Sequence, residues 1–506
     1  MSPLSLVSWN PSGSLLTVAW LLLPFLAAFL AALVPRLARP LILLVVATTL
    51  AMALAAWQGW LPADLLLLGP LGVRLQLDPL ASPLLLLTGL VHGAVLLEGW
   101  GRELEKPFLL LLLLLQGGIH SAIVASDLIS IYVAQEVVGI STFLLLVQGN
   151  RAPQLWIGLR YLLIGNSVML LYLLGAALVY REQGSFALAG LERSSGMALA
   201  LLLLALFTKA EVFISGLWLP RTNAVAPAAV SALISGGVVC AGLAPLLRIA
   251  ATVESAGSLL RWIGLASALL GLIFALAERR VARLLAWSTI SQMGMVLVVP
   301  AVGGLYALAH GLAKAALFLV CERLPAVSLD GWRSQAFPWR HGAPLLLASL
   351  SIAGAPPLLG FLAKEQLGLA LSGPPAGLLP GAALPAAVLL LSVGTAAVYA
   401  RLWRLPGNDA ATAQAQPGSP GALLLVAALL LLNLSPWALE GWRTLVAQGS
   451  SEALLKSAGL LLAGLGLQRL WPKGPDGARL PDLEGLDDLL GGAVLVGAAL
   501  VLLLGR

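Results

Sequence analysis

One feature recurs along the whole chain: runs of about 20 apolar residues joined by short polar links, the length a helix needs to cross the hydrocarbon core of a bilayer. Approximate spans are 15–34, 40–59, 79–99, 107–124, 127–148, 156–180, 197–218, 228–250, 259–277, 284–302, 304–323, 344–372, 382–402, 420–438, 453–470 and 487–505. The pattern predicts an all-α polytopic membrane protein with about 14 to 16 transmembrane helices. Composition agrees, since charged residues make up only 10% of the chain against about 25% in soluble domains. No segment is long enough for a soluble catalytic domain. A net charge of +6 would suggest nucleic acid in a soluble chain, but here the basic residues sit in short loops between spans, so no nucleic-acid partner is expected.

Those loop charges read as topology signals. Lys and Arg concentrate after odd-numbered spans, Arg36, Arg39, Arg279, Arg280, Arg283, Arg323, Arg333 and Arg340 among them. The positive-inside rule then places both termini on the outer side of a cell (inner) membrane. Trp57, Trp60, Trp100, Trp218 and Trp471 fall at span ends, where an interfacial belt would put them. The first run, Leu15 to Val34, has no preceding basic region and no small-residue cleavage site, so it reads as a span and not a removable signal. Cys240 and Cys321 both lie in apolar runs, which offers neither a disulfide framework nor a zinc spacing. Loop-like stretches at 405–420 and 471–488 separate the last spans from a denser core.

Within the spans stand a few ionisable residues: Glu136, Lys209, Lys314 and Lys364. A charge at the middle of a membrane helix costs roughly 2.5 to 3.5 kcal/mol on insertion scales, so such residues are functional candidates that need a partner. Snorkelling or a static ion pair is the alternative; their depth argues against the first. Tyr306, His310 and Lys314 follow at i, i+4 and i+8, one face of one helix along which a proton could pass, although His310 alone could be a core histidine. His92 and His120 are read as structural, and Asp127 as a helix N-terminal charge. Two of these spans are also interrupted, by Ser215, Gly216 and Pro220 beyond Lys209 and by "GAPP" at 354–357 before Lys364. Freed backbone groups are tolerated at membrane depth only where protein or a wetted cavity satisfies them. Charged broken helices in the two halves of a chain point to an inverted-repeat transporter.

The stretches "YVAQE", "TKAEVFISGLWLP" with "APAAVSALISGGVV", "ARLLAWSTISQMGMVL", "HGLAKAALFLV" and "GAPPLLGFLAK" resemble the antiporter-like membrane subunits shared by Mrp-type multi-subunit Na+/H+ antiporters, their D-type subunit above all, and by the proton-pumping arm of respiratory complex I. The resemblance runs from about residue 126 to 367. It implies N-terminal helices over 1–125, a proton-translocating core over 126–405 and C-terminal helices over 420–506. Two inverted repeats are implied within the core region, about 107–250 and 259–402. It implies proton-carrying roles for Glu136 paired with Lys209, for Lys314 with His310, and for Lys364; Tyr306, by its spacing, and Glu365 are candidate accessory groups. The implied function is exchange of H+ for Na+ or another monovalent cation by a subunit of a hetero-oligomer, a secondary transporter and not itself an enzyme. Two alternatives stay open: a proton-pumping subunit of a quinone oxidoreductase, and an assembly subunit with an interrupted proton path. No nucleotide-binding glycine loop, CxxC cluster or haem ligand pair occurs, so no cofactor is expected.

The chain departs from the family's pattern in several places, the loop "PRTNA" without acidic or histidine residues among them. Cys240 stands where a lysine is often found, and a thiol buried in apolar surroundings is a poor relay. Ser231, Ser235 or water would have to bridge. Regular helical spacing puts the two serines on one face, with Cys240 about 140° round from Ser235. Glu211 occupies a place where many relatives have proline, and by the same spacing points away from the face of Lys209.

Overall fold

The structure, a computed structural model, describes residues 11–67, 73–101, 104–323, 328–330, 338–371, 383–403, 418–470 and 480–504. Arg333, Trp471 and most of the two loop-like stretches lie outside these. The N-terminal part comprises α1 (Pro11–Leu33), α2 (Ala38–Gln58), a short antiparallel hairpin β1 (Asp64–Leu66) and β2 (Arg74–Gln76), and α3 (Ala81–Glu98). Then follow α4 (Lys106–Val124), α5 (Leu128–Val147), α6 (Ala152–Gln183), α7 (Gly196–Lys209), α8 (Leu219–Val225), α9 (Ala228–Leu233) and α10 (Val239–Thr252). The second half contains α11 (Glu254–Ala277), α12 (Val281–Val298), α13 (Pro300–Cys321), α14 (Trp339–Ala353), α15 (Leu359–Leu371) and α16 (Ala383–Ala400). It closes with α17 (Pro420–Leu431), α18 (Pro436–Leu470) and α19 (Leu486–Leu504).

Among the described residues, 13 helices are long and apolar enough to span a membrane, and the bent pair α7–α8 brings the number to 14. The remaining two expected spans differ from simple helices. Residues 344–372 divide at the glycine and prolines into α14 and α15, and α17 is short, followed by a 3₁₀ turn at Leu432–Leu434. The α9–α10 span is 100% buried whereas the span in α18 is only 11% buried, so the protein's core lies at α9–α10 with α13, α4, α7 and α3 around it. Leu15, Leu170, Leu390, Leu455 and Val494 are exposed on the outside, a surface that suits acyl chains and not water.

The break after α7 is built by specific contacts. Lys209 is the last helical residue; Glu211 and Phe213 follow with φ of 60° and 53°, and a 3₁₀ turn spans Phe213–Gly216. Pro220 opens α8, where its missing N–H costs nothing, and the pair bends by 41°. The freed backbone groups are partly recovered: the Trp218 indole N–H donates to Thr208 O (3.1 Å) and Phe213 N to Ser267 Oγ (2.8 Å). Trp218 is thus buried, packed edge-on against Tyr161, and is not the interfacial anchor its place in the sequence suggested. α10 crosses so closely that a Cβ on Gly242 would lie 2.5 Å from Ala210 N. α19 packs along α7 and this turn, with Gly492 against Ile214.

Buried polar clamps tie the links to the bundle. Arg248 pairs with Asp78 (2.7 Å) and also donates to Gln76 and Ile123 O. Arg323, expected as a topology charge in a loop, is 8% exposed and paired with Glu98, which also accepts from Ser419 Oγ (2.7 Å). Ahead of α19, Glu484 accepts from Arg283 (2.6 Å), its backbone carbonyl from Arg160 (2.6 Å), and its neighbour Asp482 pairs with Arg221. Asp127 caps α5 as expected, accepting from Ser130 N at 2.7 Å. His92 and His120 sit in packed surroundings, His120 stacked on Trp20.

Candidate functional site

Each charged candidate is placed by a helix that ends, breaks or crosses beside it. Lys209 lies at the C-terminus of α7, where the unpaired carbonyls carry partial negative charge that favours a cation. Its side chain is 7% exposed. The ammonium occupies a niche between α5 and α6, since a Cβ on either Gly139 or Gly165 would lie 3.3 Å from Lys209 Nζ. Glu136, one turn before Gly139, is the acid that acts on Lys209 electrostatically, although the two stop short of a 4.0 Å ion pair. Glu136 is half-buried on a face of α5 shared with the exposed Val133 and Ile140.

The second cluster centres on α13. Lys314 is fully buried and donates to Leu285 O, with its Nζ 5.5 Å from the centroid of the Tyr399 ring. Tyr399 in turn shares a hydrogen bond with Ser288 Oγ (2.7 Å). One turn back, His310 is buried with neither ring nitrogen partnered. The Tyr306 hydroxyl donates to Gln292 Oε1 (2.7 Å), and Gln292 Nε2 to Thr395 Oγ1 (3.1 Å). A cavity of about 10 Å³ lies between Tyr306, His310, Gln292, Ser351 and Lys364, room for about one water among polar groups.

Lys364 closes the series. Its Nζ donates to Ala353 O at 3.1 Å, the last residue of α14, so this lysine too is seated at the C-terminal end of a broken helix. Glu365, beside it, is held elsewhere by Lys456 at 3.2 Å.

Between the Lys209 and Lys314 clusters lie the residues at which regular spacing misled. Ile234–Val238 forms a π turn between α9 and α10, wider than an α-turn, so the 140° offset expected between Ser235 and Cys240 does not hold. Ser231 and Ser235 are buried with hydroxyls unpartnered, and Cys240 Sγ reaches only Gly236 O at 3.8 Å. Glu211 does not obey helical spacing either, because the helix has already ended at Lys209. It is 0% exposed, both carboxyl oxygens lack a partner, and it lies within electrostatic reach of Lys314, Cys240 and Tyr161. A left-handed backbone at a non-glycine residue costs about 1 to 3 kcal/mol, and an unsatisfied buried polar group costs a similar amount. The signal that could have found it was the one applied to the lysines: a charge at membrane depth next to a helix break.

The breaks and most of these residues fall inside a region, 125–371, that matches the family described as NADH:quinone oxidoreductase/Mrp antiporter, TM. The chain is 30% identical over 398 residues to NADH-quinone oxidoreductase subunit N of Desulforudis audaxviator, covering 72% of this chain and 76% of the relative. It is 28% identical over 332 residues to the D-type subunit of the Na(+)/H(+) antiporter of Bacillus subtilis, covering 59% and 67%. The solved structure of the Mrp complex from Dietzia sp. DQ12-45-1b matches with a TM-score of 0.70 at 25% identity, over 97% of this chain and 56% of that one. With the bent span, the buried lysines and these likenesses in one region, the chain belongs to the membrane-subunit family that NADH:quinone oxidoreductases and Mrp antiporters share.

Proposed function

We propose that this chain is a proton-translocating subunit of a hetero-oligomeric assembly in the cell membrane, carrying protons by way of Glu136, Lys209, Lys314, His310 and Lys364. The observation that carries the reading is the succession of ionisable side chains from α5 to α15, half-buried at Glu136 and Lys364 and buried at Lys209 and Lys314, with unpartnered polar atoms at Ser231, Ser235 and His310 between them. Such groups are costly in a membrane protein unless they hold or pass charge. Tyr306 and Lys364 border the one-water cavity beside His310, an accessory path from the α13 face to the α15 end. Glu136 on an outward face of α5 suits coverage by another membrane subunit, because a charge facing acyl chains is costly. The two inverted repeats, 107–250 and 259–402, remain the division of the core that fits this role, with both termini on the outer side.

The coupling we favour is exchange of H+ for Na+ or another monovalent cation, on the likeness to the Bacillus subtilis antiporter chain. A second reading, proton pumping driven by quinone reduction on other chains, has its own support in the likeness to subunit N of an NADH-quinone oxidoreductase. The deciding experiment places the complex, purified through this chain with its native partners, in vesicles containing a pH-sensitive dye. Proton movement driven by a Na+ gradient supports the first reading. Movement only on quinone reduction supports the second, and assembly without movement under either drive leaves an assembly subunit and overturns both.

The glycine niche gives an independent check. Gly139→Val or Gly165→Val is expected to push the Lys209 ammonium from its seat and lower flux on the order of 10- to 100-fold at unchanged abundance of the complex, as small misplacements of reacting groups do. Unchanged flux in both variants would remove the niche from the proton path.

A further inference from the structure

The Lys209 and Lys314 sites need a group between them that holds a proton, and α10 offers only Cys240 and two serines. The break after α7 supplies another candidate. Glu211 leaves the helix at a positive φ, its side chain is fully buried, and neither carboxyl oxygen has a hydrogen-bond partner. It therefore anchors nothing in its local structure. The titratable groups that act on it come from α13 (Lys314), α10 (Cys240) and α6 (Tyr161). The Lys209–Ala210 peptide before it lies against Gly242 of α10, two residues past Cys240. Further back on the same span, Gly236 abuts Ala315, the neighbour of Lys314.

We propose that Glu211 is a proton-carrying residue between the Lys209 and Lys314 sites, doing from the α7 break what no side chain on α10 can do. This rests on the proton-translocation reading given above. Lys209 in its ammonium form gives a proton, through bridging water, to the Glu211 carboxylate, leaving a neutral amine and a carboxylic acid. The acid then gives the proton to neutral Lys314, which becomes an ammonium while Glu211 returns to carboxylate. Charge and protons balance at each transfer. Serine hydroxyls and a protonated thiol can pass a proton but do not store one near neutral pH. A carboxyl can do both.

The test uses the complex with its native partners in vesicles. Glu211→Gln keeps size and polarity but cannot release a proton; it is expected to lower proton flux at least tenfold with assembly intact. Cys240→Ala is expected to be nearly silent. The double variant Glu211→Gln with Cys240→Lys, which places a base on α10, is expected to recover flux with a shifted pH profile, a rescue that a purely structural role for Glu211 would not permit. If Glu211→Gln fails to assemble, Glu211→Gly, which suits the positive φ, takes its place with the same expectation. Wild-type flux in Glu211→Gln, or loss without rescue by the added lysine, overturns the proposal. Failure of the underlying reading looks different: flux would then survive Lys314→Ala as well.

Discussion

Lys314→Ala is expected to abolish proton flux, a fall on the order of 100-fold or more given what positioned acid–base groups contribute, while the complex still assembles. Lys314 is fully enclosed in α13, with Leu285 O and the face of Tyr399 around its ammonium. Truncation leaves a cavity but strands no buried cation, so the loss should fall on transport more than on folding. Lys314→Arg separates charge from proton exchange. Arginine keeps the cation but is not deprotonated in proteins, so it too should lose flux. An arginine variant that transports at the wild-type rate would reduce Lys314 to a fixed counter-charge. His310→Ala, removing the neighbouring ring, is expected to slow flux without stopping it.

Glu136→Gln should cost nearly as much. With its acid gone, the Lys209 ammonium in the niche of Gly139 and Gly165 loses the carboxylate that acts on it. A buried ammonium that loses its opposite charge is disfavoured against the neutral amine, so the lysine either stays neutral or moves. In both cases it no longer loads, and flux is expected to fall on the order of 100-fold. The pair must also behave as one unit. In a Lys209→Ala background, adding Glu136→Gln is expected to lower flux no further, the non-additivity of residues that share one step. Two independent, multiplying losses would show that the residues serve separate steps.

Most of the fold was legible because lipid simplifies the code. A run of about 20 apolar residues has essentially one structure in a bilayer, and glycine or proline beside a buried charge marked the breaks after Lys209 and before Lys364 correctly. Helical spacing also kept Tyr306 and His310 on one face. What was not legible came from places where the regular helix ends. Glu211 was assigned a face by counting along a helix that stops two residues earlier, and the Ser235–Cys240 angle assumed an α-turn where a π turn stands. Arg323 looked like a loop charge because its partner Glu98 is remote in sequence, as are the Trp218 and Glu484 carbonyls that Arg160 binds. Partners so far apart leave no local pattern to read.

The packing of α19 on the α7 break has a mechanical consequence. Gly492 leaves no clearance above Ile214, Gly497 little above Leu204, and the approach to α19 is pinned at Glu484 by arginines from α6 and α12. Helix and break are therefore packed as one unit, tied ahead of the helix at Glu484. Any change of the 41° bend that brings Lys209 and Glu211 closer or farther apart must swing α19 with it. The outer side of α19 carries the exposed Val494, Leu495 and Leu502, so whatever rests against it in the membrane sets the resistance that the break feels when it moves.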